Sequence, residues 1–246
     1  MSLQGRLAFI TGAGSGIGRA TCQCLAREGA TIVAADQNFP KVQETLKLLN
    51  PQEKHSAMSL SVENKHNIQE VLNNIIKTYL KPPSIVVNAA GITRDNFLQK
   101  LSDADFAQVL DVNLKGTFFV LQTFANSLVE HKINEASIIN IGSIVAKFGN
   151  IGQANYCASK AGVEAMTKVA AKEYGSLGIR VNTIIPGMIV TPMTAAVPEK
   201  VMNKFKAMIP LGRFGLPEEV AEVITFLAST KSSYINGASI EVTGGF

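Results

Sequence analysis

The stretch LAFITGAGSGIGRA, residues 7–20, joins an apolar run to a glycine-rich turn and then to a helical pattern. Residues without side chains at such a turn let backbone N–H groups approach a bound anion, and the helix N-terminus adds a favourable dipole. The G-x-G-x-x-G spacing is absent, and a tight turn without a ligand is the alternative interpretation. Because the turn directly follows the first strand, we predict a dinucleotide site with contacts from Gly12, Ser15, Gly16, Ile17 and Gly18.

An aspartate closes the second predicted strand. Asp36 stands 18 residues beyond Gly18, near the spacing of a ribose-binding acid. A carboxylate there accepts hydrogen bonds from the adenosine ribose hydroxyls and repels a 2′-phosphate, and neither Ser15 nor Gln37 brings a compensating cation. The alternative is an exposed strand-end aspartate that starts a turn. The pattern favours NAD(H) over NADP(H) as cofactor.

Short apolar runs alternate with helical patterns along the whole chain. Runs such as IVVNA and SIINI are nearly continuously apolar, which is typical of parallel strands covered on both faces. Apolar residues at intervals of three and four between Ile68 and Tyr79 predict a helix, and the pattern from Ser102 to Asp105 predicts the start of another. We predict a single-domain α/β fold over 1–246, a Rossmann-type doubly wound parallel sheet with helices on both faces. Its predicted strands are 7–11, 31–36, 55–60, 85–89, 137–141, 180–185 and 239–243.

Composition excludes several classes of function. The chain has 246 residues, of which 46% are hydrophobic, and no apolar run approaches the roughly 18 residues that span a bilayer. Three cysteines and three scattered histidines match no zinc pattern, so no metal site is predicted. The net charge of +4 comes from dispersed lysines, which argues against a nucleic-acid partner. The opening MSLQGRLAFI resembles neither a secretory signal nor a transit segment, so we expect an intracellular protein.

Several motifs occur in one distinctive order: TGAGSGIG at 11–18, VNAAG at 87–91, Asn113, Ser143, Tyr156-x-x-x-Lys160, and Pro-Gly at 186–187. Together they resemble the short-chain dehydrogenase/reductase family, and the resemblance covers essentially the whole chain. NLKGTF, SIINIGSIV and YINGASIEVTGGF resemble the branch of β-ketoacyl-ACP reductases, and VNLKGTF and EVTGG resemble 17β-hydroxysteroid dehydrogenases. The resemblance implies a mitochondrial matrix enzyme, or alternatively a cytoplasmic one.

The resemblance also assigns roles to residues. Ser143 is expected to orient the substrate oxygen, Asn113 to hold a water that links Lys160 to solvent, and Tyr156 to act as the acid/base. The catalytic set implied is Asn113, Ser143, Tyr156 and Lys160. Tyr156 and Lys160 are expected to contact the cofactor as well. The further cofactor contacts implied are Ser61, Val62, Asn88, Ala89, Gly91, Pro186, Gly187, Ile189 and Thr191.

The tyrosine–lysine pair has a physical rationale of its own. Taken alone, a Tyr and a Lys at i and i+4 are more often a solvated helix pair. A free tyrosine has a pKa near 10 and exchanges its proton poorly at neutral pH. Lys160, one helical turn from Tyr156, is expected to stabilise the phenolate together with the charge of oxidised nicotinamide, and so to lower the pKa of the tyrosine.

The substrate is less well defined by the sequence. Leu177 stands where bacterial ACP reductases often carry an arginine for the acidic carrier protein, which favours an acyl-CoA. Ser61 replaces an adenine-binding aspartate of many relatives, which weakens that contact. A lid is predicted at about 188–208, where four methionines suit an apolar pocket or simply pack two helices. The expected substrates are a 3-hydroxyacyl/3-oxoacyl thioester and, second, a 17β-hydroxysteroid.

Two further expectations concern assembly. The family resemblance implies a homotetramer, or a heterotetramer with a related reductase subunit. The rival to an enzyme is a non-catalytic NAD-binding scaffold or regulatory subunit. Such a protein is expected to have lost Tyr156, Lys160 or Ser143, and all three are present.

Overall fold

A computed structural model describes residues 2–194 and 199–246 of the chain. Its centre is a seven-stranded sheet in the order β3-β2-β1-β4-β5-β6-β7, in which every neighbouring pair is parallel. The strands are β1 Leu7–Thr11, β2 Thr31–Asp36, β3 Ser56–Ser59, β4 Ile85–Asn88, β5 Ala136–Ile141, β6 Ile179–Pro186 and β7 Ser239–Val242. The doubly wound parallel sheet is confirmed.

Helices cover both faces of this sheet. They are α1 Gly16–Arg27, α2 Phe39–Leu46, α3 Lys65–Tyr79, α4 Asp103–Leu110, α5 Thr117–Glu130, α6 Val145–Phe148, α7 Ala154–Gly175, α8 Glu199–Met208 and α9 Pro217–Ala228. A π-helix, Asp111–Gly116, joins α4 to α5 without a break. None of the helices in the described residues is long and apolar enough to cross a membrane.

The apolar strands contribute side chains to two separate hydrophobic cores, one on each face of the sheet. Leu7 and Phe9 of β1 face a core formed with α3, α5 and α7, whereas Ala8 and Ile10 face a core formed with α1, α2 and α9. The ring of Phe9 stacks on that of Phe124 in α5, with 4.4 Å between centroids. Because consecutive side chains enter opposite cores, the strands read as continuous apolar runs rather than alternating ones.

The predicted elements agree with the observed ones apart from their ends. Ser102 caps α4, since its Oγ accepts a hydrogen bond from the Asp105 N–H at 3.1 Å. His55 was predicted to belong to the third strand, but β3 begins at Ser56. The reason is that Nδ1 of His55 accepts a hydrogen bond from the Ile32 N–H of β2, at 3.0 Å, as a side chain and not as a strand residue. Within the predicted lid, residues 195–198 lie outside the described residues.

The residue after α3, Leu80, has a strained backbone conformation that can be tested by substitution. Leu80 adopts the left-handed conformation, with φ of 60°, and its side chain is 88% exposed. That conformation costs a non-glycine residue about 1–2 kcal/mol, and little is lost by removing an exposed side chain. We expect Leu80→Gly to raise the free energy of unfolding by about 0.5–1 kcal/mol in urea denaturation.

Leu48→Gly is the matched control, because this exposed leucine follows α2 and is absent from the residues with positive φ. We expect it to lower the free energy of unfolding, since glycine adds conformational freedom to the unfolded chain. Equal effects of the two substitutions would contradict the assignment of strain to residue 80.

Candidate active site

The strand order creates a crevice at one edge of the sheet. Successive connections run outward in opposite directions from β1 and β4, so the loops that follow these strands separate at their carboxyl ends. A cleft of about 350 Å³ lies there, lined by the turns after β1, β2 and β4 and by the first turns of α7. Its walls include the following predicted site residues: Gly12, Ser15, Gly16, Ile17, Gly18, Asp36, Ser61, Val62, Ala89, Gly91, Tyr156, Lys160 and Thr191.

Glycine is required at the floor of this cleft. A Cβ on Gly12 would lie 2.7 Å from the backbone of Ala89 and Ala90, and a Cβ on Gly18 would lie 2.2 Å from the carbonyl oxygen of Gly12. A Cβ on Gly16 would lie 3.2 Å from Cγ2 of Thr191, which stands across the cleft. The turn therefore presents bare backbone at the N-terminus of α1. This shape fits the pyrophosphate of a dinucleotide.

Asp36 is held at the mouth of the glycine turn. Its carboxylate accepts hydrogen bonds from the N–H groups of Gly14, at 3.1 Å, and Asn38, at 2.9 Å. Arg19 donates a hydrogen bond to the Gly14 carbonyl, at 2.6 Å, and forms an ion pair with Glu44 at 3.2 Å. The carboxylate thus has spare acceptor capacity and no ion-pair partner among the described residues.

The start of α7 places a tyrosine and a lysine in the same cleft. Nζ of Lys160 lies 5.8 Å from the centroid of the Tyr156 ring. The ammonium donates a hydrogen bond to the Ile141 carbonyl of β5, at 2.8 Å, and the lysine is 4% exposed. Ser143, which follows β5, lies near enough to the Tyr156 hydroxyl to influence its pKa. Three of the four predicted catalytic residues therefore lie together.

Burial dominates the protonation of this pair. It raises the pKa of Tyr156 to about 12, against a smaller lowering by the neighbouring Ser143 side chain. Burial also lowers the pKa of Lys160 to about 8. A low-dielectric site penalises both charged forms, so in the polypeptide alone the pKa of Tyr156 is raised. The predicted lowering by Lys160 together with oxidised nicotinamide stays a prediction.

The fourth predicted residue, Asn113, is buried within the π-helix. Its Oδ1 accepts a hydrogen bond from the Ile92 N–H at 2.8 Å, and its Nδ2 donates to the Ile92 carbonyl at 3.0 Å and to Ser159 at 3.1 Å. A Cβ on Gly91 would lie 3.3 Å from Oδ1 of Asn113 and 3.5 Å from Nζ of Lys160. Gly91 thus leaves a small space between the two side chains. The water predicted there remains a prediction.

Four predicted cofactor residues do not line the cleft. Asn88 is buried and donates a hydrogen bond to Asn140, while Gly187 packs against Thr243 of the C-terminal segment. Ile189 belongs to the core beside α9 and pairs with residue 215. The four are Asn88, Pro186, Gly187 and Ile189. Their predicted cofactor contacts stay predictions.

Sequence reasoning missed the residues that fix the mouth of the cleft. Gln153, just before α7, donates a hydrogen bond to Asp95 at 2.9 Å. Buried Asn155 donates to the Arg94 carbonyl at 2.9 Å. These contacts join the loop after β4 to the residues before Tyr156, which are about 60 positions later in the sequence. No local sequence pattern predicts such contacts.

Three comparisons with known proteins agree with this geometry. Residues 12–246 match a family model described as Enoyl-(Acyl carrier protein) reductase. The chain is 50% identical to (3R)-3-hydroxyacyl-CoA dehydrogenase of Rattus norvegicus, over 100% of this chain and 97% of that protein. It is 44% identical to 3-oxoacyl-[acyl-carrier-protein] reductase FabG of Thermotoga maritima, over 100% and 99%.

A solved structure is also similar along its whole length. It is a chain from Agrobacterium tumefaciens assigned as a 2-deoxy-d-gluconate 3-dehydrogenase, with bound NADP. Its TM-score is 0.90 at 35% identity, and the alignment covers 99% of this chain and 97% of that one.

The buried lysine gives the free energy of unfolding a pH dependence. The pKa of Lys160 is about 8 in the fold against 10.5 in the unfolded chain, so between these values the unfolded chain binds more protons. The contribution of this group to stability therefore rises with pH across that window. We expect the difference in unfolding free energy between wild type and Lys160→Met to shift in favour of wild type by about 1–3 kcal/mol from pH 7.5 to pH 10.

The measurement is urea denaturation at both pH values. Lys168→Met serves as control, because Lys168 lies on the same helix but is exposed and paired with Glu164. A difference between wild type and Lys160→Met that does not change with pH would contradict the burial of a titrating ammonium.

Proposed function

The chain belongs to the short-chain dehydrogenase/reductase family, and we propose that it is an NAD(H)-dependent oxidoreductase that interconverts 3-hydroxyacyl and 3-oxoacyl thioesters. Oxidoreduction of an alcohol and a ketone follows from the family. The single observation that carries the finer proposal is the pairing of Tyr156 with buried Lys160 in a cleft that also contains Asp36.

The thioester is supported by the relatives. Two of them are named for a 3-hydroxyacyl-CoA and for a 3-oxoacyl carrier protein, at 50% and 44% identity over the whole chain. Leu177, which is 44% exposed, places no cation where an acidic carrier protein would dock, and this favours an acyl-CoA. A 17β-hydroxysteroid is the competing substrate.

The preference for NAD(H) is supported by the surroundings of Asp36. Its carboxylate is accessible from the cleft and has no ion-pair partner among the described residues, so a 2′-phosphate beside it would meet an uncompensated negative charge. The ribose hydroxyls of NAD(H) would instead donate hydrogen bonds to it. The Agrobacterium relative, solved with NADP, makes this a point to be measured.

The residues of the cleft suit proton transfer beside hydride transfer. The coenzyme, when bound, supplies or accepts the hydride. In reduction, Tyr156 donates its proton to the substrate oxygen, which Ser143 holds by hydrogen bonding. In oxidation, Tyr156 must lose its proton. The raised pKa of its phenol in the absence of coenzyme opposes this loss. The positive charge of oxidised nicotinamide, added to that of Lys160, would lower that pKa.

We also propose a tetramer of identical or related subunits. Large apolar side chains are exposed on the outer faces of α5, α7 and α9. Examples are Val129, Val169 and Phe226, whose exposed fractions are 37%, 54% and 39%. Such faces are typical of subunit interfaces. By the same family resemblance, we propose the mitochondrial matrix as its compartment, with the cytoplasm as the alternative.

The acid/base assignment is tested by Tyr156→Phe. We expect this variant to bind NADH with an unchanged dissociation constant and to lose at least about 100-fold of kcat with acetoacetyl-CoA, because general acid catalysis is removed. NADH absorbance at steady state and fluorescence titration provide the two readouts.

Tyr174→Phe is the control. Tyr174 lies on the same helix, and its exposed hydroxyl donates a hydrogen bond to Oδ1 of Asn126. Wild type is assayed in parallel with estradiol and NAD+. Tight binding of NADH with no turnover of either substrate would favour the scaffold, and turnover of estradiol alone would replace the thioester by the steroid.

The coenzyme assignment is tested by Asp36→Ala. Wild type should prefer NADH over NADPH by at least about tenfold in kcat/KM, and the variant should lose most of that preference. Asp103→Ala, in the exposed first turn of α4, is the control for removal of one charge. A wild-type preference for NADPH would refute the assignment.

A further inference from the structure

We propose that Asn140 is a positioning residue for the reaction proposed above: through Thr167 it fixes the placement of α7 on the sheet, and with it Tyr156 and Lys160. The inference rests on the proposed function only in that these two residues perform the chemistry. Asn140 itself lies beneath the cleft and is fully buried.

A buried polar row crosses the sheet at this level. Thr11, Asn88, Asn140 and Thr183 are paired in register on β1, β4, β5 and β6. Each is at most 3% exposed. The residues two positions before them on these strands, such as Phe9 and Ile138, belong to the apolar core that contains α7. The row therefore lies on the face of the sheet that α7 covers. Burial of amide side chains there is unfavourable unless they form hydrogen bonds.

Hydrogen bonds lead from this row into the helix. Nδ2 of Asn88 donates to Oδ1 of Asn140 at 2.8 Å, and Nδ2 of Asn140 donates to Oγ1 of Thr167 at 2.8 Å. The Thr167 hydroxyl in turn donates to the Val163 carbonyl at 2.9 Å. Both oxygen and nitrogen of the Asn140 amide are thus engaged, one toward the sheet and one toward the helix.

This bond is the second of two polar attachments of α7 to β5. Lys160 bonds the carbonyl of Ile141, and Thr167 bonds the side chain of the preceding residue, Asn140. Lys160 and Thr167 are seven residues apart, about 10 Å along a helix. Two attachments at this separation resist both axial sliding and rotation of α7 on β5.

The remaining contacts of α7 with the sheet constrain it less. Val163, Ala170 and Ala171 are small buried residues of the same helix, and small apolar surfaces slide more readily than a directional hydrogen bond. Loss of the Thr167 acceptor would also leave a buried amide donor unsatisfied, which weakens the attachment of α7 to β5. A displacement of about 1 Å at the acid/base is enough to lower a catalytic rate.

The test uses two substitutions of one hydroxyl. We expect Thr167→Val, which keeps shape and removes the acceptor, to lower kcat roughly tenfold without changing the dissociation constant of NADH. Thr167→Ser keeps the hydroxyl and should retain the wild-type kcat. Thr225→Val is the matched control, because buried Thr225 likewise donates to a carbonyl of its own helix, α9. If the two valine variants lose kcat equally, the proposal is refuted.

Amide hydrogen exchange tests the inference without turnover. Thr167→Val should speed exchange at residues 154–160 relative to α9, and Thr225→Val should not. Uniform acceleration in Thr167→Val would identify Asn140 as an ordinary core contact and overturn the proposal. If wild type turns over no substrate, the proposed function fails, and the exchange pattern still decides whether Asn140 places α7.

Discussion

The structure depends most on one buried ammonium group. Lys160 is almost fully removed from solvent, and within the described part of the chain its Nζ has a single hydrogen bond, to the Ile141 carbonyl. An ammonium ion in such surroundings is costly unless its partner is held rigidly. The parallel sheet supplies that rigidity, because Ile141 belongs to a strand paired on both sides. The chemistry of the cleft is therefore inseparable from how α7 sits on the sheet.

The glycine-rich floor follows from the same topology. The turns after β1 and β4 begin side by side before they leave the sheet in opposite directions, and the backbone at Gly12 approaches Ala89 too closely for any side chain. Thr11 reinforces this approach, since its Oγ1 accepts hydrogen bonds from the N–H groups of Ala89 and Ala90. The floor of the cleft is thus built from backbone, whereas its mouth is held by side chains on separate loops.

The sequence predicts what is local and repeated. All seven strands were recognisable, and burial on both faces makes central strands such as β1 and β4 nearly continuous apolar runs. The sequence did not predict that burial raises the pKa of Tyr156 in the polypeptide alone, because spacing places a lysine nearby but does not reveal how deeply both groups are buried. Nor could it predict the contact of Gln153 with Asp95, which joins distant loops. Asn140 carried a signal that was overlooked: an amide inside the apolar run SIINI requires a partner.

The π-helix between α4 and α5 has a consequence for sequence change. Such a segment contains one residue more than α-helical geometry accommodates, so a deletion among residues 111–116 would let α4 and α5 merge into regular helix. The same deletion would rotate Asn113 by about 100° and withdraw its amide from Ile92 and Ser159. A regular α-helix at this point would therefore be incompatible with the position of Asn113 beside the cleft. Insertions and deletions should be tolerated in the loops of this fold long before they are tolerated here.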